Sequence, residues 1–192
     1  TTVGRAHLMD FGGVEGIAKE KGDIYKKSRA DTTMVFNLDN EMTEQMYQEY
    51  KSKSKCISFS SDKKNADVYF ELIEMGLERL KIKGTIKGIA GEVVVPVFGS
   101  HNVVNLMGAA GIALAAGMKP ESIWESLPNC QTVWGRNMLV NLKSHAKLIF
   151  DGYNANPDSM KALIHNLSEV ASDGKKIIIL GDMLEMGDQA EA

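Results

Sequence analysis

Residues 33–59 read TMVFNLDNEMTEQMYQEYKSKSKCISF. The stretch opens on the apolar run 33–37 and turns at Asn37-Leu38-Asp39-Asn40. A polar segment follows in which residues 43–51 fit a helix, and a second apolar run, 56–59, closes it. Short apolar strands bracketed by polar turns and joined through a helix are the pattern of a parallel sheet, whose strands are covered on both faces. The expected class is therefore α/β, with a mostly parallel central sheet and flanking helices. Upstream, Val14, Ile17, Ala18, Lys21, Ile24 and Tyr25 fall on one stripe at helical spacing.

Downstream the pattern changes. Three runs, 68–74, 79–86 and 91–98, alternate with a period near two and are separated by Gly76 and Gly88. They predict a small antiparallel patch within residues 66–98, with Lys81, Lys83 and Glu92 on a solvated face. Residues 102–116 carry no charge, which predicts a helix buried on most sides. Gly117 suits its C-cap, and Pro120 can start the next helix, over 121–127. A loop at 129–136 leads to strands at 138–141 and 147–150, a helix at 159–171 and a strand at 175–180. The last three make one βαβ unit. A boundary near 143–151 divides the chain into residues 1–145 and 146–192.

Composition sets outer limits. The chain has 192 residues, 44% hydrophobic and 24% charged, with a formal net charge of −3. That is ordinary for a folded protein and wrong for a disordered one. A weakly negative balance does not suit a nucleic-acid binder, which needs clustered cations. No run reaches the ~18–20 apolar residues of a membrane span. Two cysteines, Cys56 and Cys130, make neither a disulfide framework nor a zinc site, so a reducing, cytoplasmic setting is expected.

Several residues could carry chemistry, each with a plain alternative. Lys21 lies on the apolar stripe, so it either snorkels to the edge or is buried, with a more neutral amine able to form a carbamate. His7 is either structural or a metal ligand. Asn102 and Asn105 share a helical face: either Ser100 or Asn102 simply caps the helix, or the two amides read the polar edge of a base. Arg136 is a surface charge or a fork for a phosphate. The stretches Asp151-Gly152-Tyr153-Asn154-Ala155-Asn156-Pro157 and Gly181-Asp182-Met183-Leu184-Glu185-Met186-Gly187 each follow an expected strand. Open α/β sheets bind ligands there, although Asp, Gly, Asn and Pro also simply favour turns.

In order along the chain, AHLMDFGGVEGIAKEKGDIY (6–25), NLDN (37–40), GSHNVVNLMGAAGIALAAG (99–117), GRNM (135–138), DGYNANPDSM (151–160) and ILGDMLEMG (179–187) together resemble the Mur ligase family. The last two look most like its D-alanyl-D-alanine-adding branch. The resemblance implies ATP-dependent amide-bond formation in peptidoglycan precursor synthesis. UDP-MurNAc-tripeptide and D-Ala-D-Ala would be the substrates, an acyl phosphate the intermediate, and ATP and Mg2+ the cofactors. By match, His7 and Lys21 (as carbamate) would hold magnesium, and Asn102 and Asn105 would sit at the adenine. Arg136 would reach the γ-phosphate, Asp151 the ribose and Tyr153 the neighbouring phosphate region. Asn37 and Asp39 would lie near the nucleotide, while Asn154, Asn156 and Ser159 would shape an interdomain cleft. Lys21 and Arg136 are the expected catalytic residues.

The resemblance also marks what this sequence lacks. It contains no G-x-x-x-x-G-K-[ST] loop to cradle phosphates. The expected identity is thus the later part of a P-loop-type central domain plus the opening βαβ of a Rossmann-like C-terminal domain. Both chain ends read as cuts, so this polypeptide alone is expected to be inactive and to self-associate through an exposed sheet edge. A monomeric parent with neither nucleic-acid nor membrane partner is expected. Two other readings stand beside this one: a non-catalytic remnant or binding module of the fold, and another Mur or folylpolyglutamate-type ligase.

Overall fold

The structure, a computed structural model, describes residue 3 and residues 13–183. The first amphipathic stripe forms α1 (Val14–Lys26), and the TMVFN run forms β1 (Thr33–Asn37). Asn40 caps α2 (Glu41–Tyr50) by accepting from the Thr43 N–H at 3.2 Å, and α2 carries the chain to β2 (Lys55–Ser60). β1 and β2 are parallel in unbroken register, Thr33 opposite Lys55 through Asn37 opposite Phe59.

β2 pairs in parallel with β3 (Val68–Met75), which pairs antiparallel with β4 (Leu80–Ile86), itself antiparallel to β5 (Ile89–Val95). All five make one sheet of order β1-β2-β3-β4-β5. Four strands run one way and β4 runs against them. The antiparallel segment expected over 66–98 is thus an extension of the parallel sheet, because β3 pairs with both halves.

Alternation along the strands sorts side chains onto two faces. Met34 and Phe36 face one layer with Tyr25, Leu38 and Ala66, and Phe36 stacks on the Tyr25 ring at 4.3 Å. The opposite face carries the main core, in which α3 (Asn102–Ala115) lays Val103, Leu106, Met107 and Ala110 against Phe59, Val68, Phe70 and Ile82. Gly111 permits the approach: a Cβ there would stand 2.8 Å from Val35 Cγ1. α3 is buried on one face only. Ile112 on its far side is 64% exposed, because the sheet covers a single face and no second layer lies beyond it among the described residues.

α1 corrects a second expectation. Ile17, Ala18, Gly22 and Tyr25 are its buried positions, whereas Lys21 and Ile24 are exposed. Gly22 lies against Met46 of α2, 3.4 Å from where a Cβ would be. This close contact turns the packed face away from Lys21, so of its two readings the solvent-facing one fits and the buried one does not.

After α3, Pro120 opens α4 (Pro120–Ser126). Trp124 on α4 packs against Phe70 and donates from its indole N–H to the Ile89 carbonyl at 3.1 Å. The chain then forms an antiparallel pair, β6 (Met138–Asn141) with β7 (Lys147–Phe150), and α5 (Pro157–Glu169). Residues 175–180, the expected last strand of the βαβ unit, form no strand, and Ile177 and Ile179 are 77% and 89% exposed. β7 spends its ladder on β6, and α5 is anchored at the start of α3 (below), so a third strand finds no partner among the described residues. Among those residues no helix is long and apolar enough to cross a membrane.

Candidate functional site

The residues before α3 are drawn tight. Gly99 has φ +94°, and a Cβ on it would stand 2.5 Å from His101 Cε1, so the turn accepts only glycine. Neither capping alternative holds. Ser100 donates from its backbone N–H and its hydroxyl to Asn166 Oδ1 on α5, at 3.2 and 2.7 Å. Asn102 turns back to donate to the Phe98 carbonyl at 2.6 Å. Asn105 donates to Asn102 Oδ1 at 2.9 Å, which sets the two amides side by side near the helix start, with Asn105 exposed.

A second cluster forms where loop 134–137 meets residues 150–153. Gly135 has φ +72°, and its carbonyl accepts from the Tyr153 N–H at 3.1 Å. The Arg136 guanidinium lies over the Tyr153 ring, 4.3 Å from its centroid. Arg136 is exposed, and a guanidinium held by its face on a ring still has N–H groups for a two-pronged grip on an anion. Asp151 Oδ1 accepts from the Asn137 N–H at 3.1 Å. The structure thus brings Arg136, Asp151 and Tyr153 together.

His101 joins the two clusters. Its Nε2 lies 3.1 Å from Asn137 Nδ2, and its Nδ1 lies 3.2 Å from Asn166 Nδ2. Burial lowers the His101 pKa below the usual 6.5, against an opposing pull from Asp151. His101, Asn137 and Asn166 were not among the candidate residues. A signal existed for Asn166, a polar residue on the α5 stripe that also holds Leu163, Leu167 and Val170. Asn137, at φ +50°, follows the Gly-Arg pair directly.

The remaining candidates divide. Asp39 accepts from the Ser60 hydroxyl, and from the Ser61 N–H and hydroxyl at 2.7 and 2.8 Å. Asn37 is buried, and its Oδ1 accepts from the Asp39 N–H at 2.9 Å. These two clamp the ends of β1 and β2. Asn156 and Ser159 form the reciprocal N-terminal box of α5, so turn chemistry accounts for them. Asn154 accepts from the Ala155 N–H at 2.9 Å, a local turn contact. Asp182 is exposed. His7, and residues 184–187 of the second acidic turn, lie outside the described residues. Among the described residues no three His, Cys, Asp or Glu side chains gather to hold a cation.

Known proteins match this arrangement. The model of the Mur ligase middle domain matches residues 1–113, and that of the Mur ligase glutamate ligase domain matches residues 135–192. The UDP-N-acetylmuramoyl-tripeptide--D-alanyl-D-alanine ligase of Bacillus subtilis is 31% identical over 191 residues, covering 100% of this chain and 40% of its own length. The Escherichia coli enzyme of that name is 31% identical over 189 residues, 97% of this chain and 41% of its own. A crystal structure of MurF from Acinetobacter baumannii superposes with a TM-score of 0.86 at 31% identity, covering 98% of this chain and 40% of that one. The chain therefore spans about 40% of the length of these relatives.

Proposed function

The chain belongs to the Mur ligase family, and we propose that it supplies the nucleotide-facing part of the ligase that joins D-alanyl-D-alanine to UDP-MurNAc-tripeptide. One observation carries the reading. Three stretches distant in sequence, 99–105, 135–137 and 151–153, are joined by hydrogen bonds into one surface that offers paired amides, a stacked guanidinium and a carboxylate. Adenine, phosphate and ribose need those groups.

In this reading the substrate carboxylate attacks the γ-phosphorus of ATP, and ADP leaves. The amine of D-Ala-D-Ala then attacks the acyl carbon, loses its proton, and displaces phosphate. Arg136 holds the transferred phosphoryl group, and Tyr153 keeps its guanidinium flat. Asp151 uses one oxygen on the Asn137 N–H and turns the other to a ribose hydroxyl. Asn102 and Asn105 meet the base edge. Magnesium, when bound, would screen the phosphates, and His7 and Lys21 are assigned to it on resemblance alone. Residues 1–145 belong to the central domain and 146–192 to the C-terminal one, in a monomeric cytoplasmic parent.

The test is ADP release by the complete ligase with UDP-MurNAc-tripeptide, ATP and D-Ala-D-Ala, in wild type and Lys21→Ala. Turnover that requires both substrates, collapses in Lys21→Ala and returns with added short carboxylic acids is the expected result. Full turnover in Lys21→Ala removes the carbamate and keeps the ligase. A folded wild type that turns nothing over leaves a binding module of the same fold.

A further inference from the structure

The contacts around His101 admit one assignment of protons, and it follows from a single backbone group. The Ser100 N–H can only donate, so the Asn166 atom facing it at 3.2 Å is the oxygen. Asn166 therefore turns its NH2 toward His101 Nδ1, at 3.2 Å, and Nδ1 must accept. A neutral imidazole that accepts at Nδ1 carries its proton on Nε2.

Nε2–H then needs an acceptor, and the atom 3.1 Å away is assigned as Asn137 Nδ2, itself a donor. Asn137 Oδ1, meanwhile, is the one buried side-chain polar atom without a hydrogen-bond partner among the described residues. A half-turn of the Asn137 amide removes the donor–donor contact, because it presents Oδ1 to the Nε2–H and leaves the NH2 at the buried position that Oδ1 had. The backbone N–H of the same Asn137 donates to Asp151 Oδ1, and Arg136 is its neighbour in sequence.

We propose that His101, fixed by Asn166 as the neutral Nε2–H tautomer, is the positioning residue that locks the Gly135-Arg136-Asn137 turn and Asp151 in place for a nucleotide. Protonation would put a second donor against the Asn166 NH2, so the imidazolium does not fit. Ser100, Asn137 and Asn166 are neutral, and among the described residues Asp151 is the one charged group acting on the ring. The lowering of the His101 pKa by burial agrees with this. None of the three side chains needs to touch the nucleotide. The nucleotide part of the proposal rests on the function proposed above, whereas the tautomer does not.

Histidine-selective nitrogen-15 NMR reads the ring directly, and the chain has 4 histidines to assign. The expected wild-type result at neutral pH is a bare Nδ1 and a protonated Nε2. Asn166→Asp keeps the size and still accepts from Ser100, but presents an acceptor to Nδ1. It should move a proton onto Nδ1 and weaken ADP binding by the complete ligase about tenfold, the scale of one buried hydrogen bond. A wild-type ring carrying its proton on Nδ1, or on both nitrogens, overturns the assignment whatever the variant does. An Asn166→Asp ligase that binds ADP like wild type overturns the positioning role alone. A wild type with the expected tautomer but no ADP binding instead overturns the nucleotide reading beneath it.

Discussion

Residues 33–129 and residues 138–183 are held by opposite means. The first region is a sheet with helices against it, closed by Phe70, Leu80, Ile82, Met107 and their neighbours, all but lost to solvent. The second has a two-stranded sheet, below the three strands that stand alone in water. Its buried residues are Asn166 and Val170 among those described. It is fastened to the first region by Asn166 on Ser100 and His101, and by Asn137 between His101 and Asp151. Apolar packing gives the first region its stability. Directional hydrogen bonds give the second its place, and the candidate site lies where the two meet.

Phe70→Ala breaks the first region most severely. Phe70 is fully buried and touches Trp124, so its loss should cost about 3–5 kcal/mol. Denaturant unfolding checks it, and a loss below 1 kcal/mol would show that the sheet face is not the core. Gly111→Leu comes next. Its side chain would enter the space held by Val35, Ile57 and Phe59, at an overpacking cost of about 1–3 kcal/mol. An unchanged midpoint would mean that α3 does not lie close on the sheet.

The contrast explains what the sequence discloses. TMVFN at 33–37 and the strands at 138–141 and 147–150 are legible residue for residue, because short apolar runs end at polar turns. The α1 stripe is drawn one position off, taking in Lys21 and Ile24, because glycine carries no hydrophobic signal, so Gly22 against Met46 escapes any count of apolar spacing. The run 175–180 misleads in the other direction: Ile177, Ile178, Ile179 and Leu180 have the composition of a strand, but a strand also needs a neighbour. Of the site, Arg136, Asp151 and Tyr153 are legible through resemblance. The His101, Asn137 and Asn166 junction joins residues up to 65 positions apart and has no local spacing to betray it.

Acid sharpens the comparison with a smaller effect. The folded pKa of His101 lies below 6.5, so on acidification the unfolded chain takes up the proton first. The stability from a neutral His101 is complete above 6.5 and is lost as pH falls through the folded value. Hydrogen exchange followed from about pH 7.5 to 5 should show α5 losing protection before β3 and β4 do. Loss at one pH in both regions would dissolve the distinction between them.

The central claim is that the meeting of the two regions grips a nucleotide through Arg136. Affinity of the complete ligase for a non-hydrolysable ATP analogue, which keeps the γ-phosphate, tests it most directly, in wild type, Arg136→Ala and Lys143→Ala, the last an exposed cation before β7. The account predicts that Arg136→Ala weakens binding of the ATP analogue by tenfold or more, since a hydrogen bond to a charged group contributes about 1.5–3 kcal/mol, while Lys143→Ala stays near wild type. Equal affinity in all three proteins would contradict it.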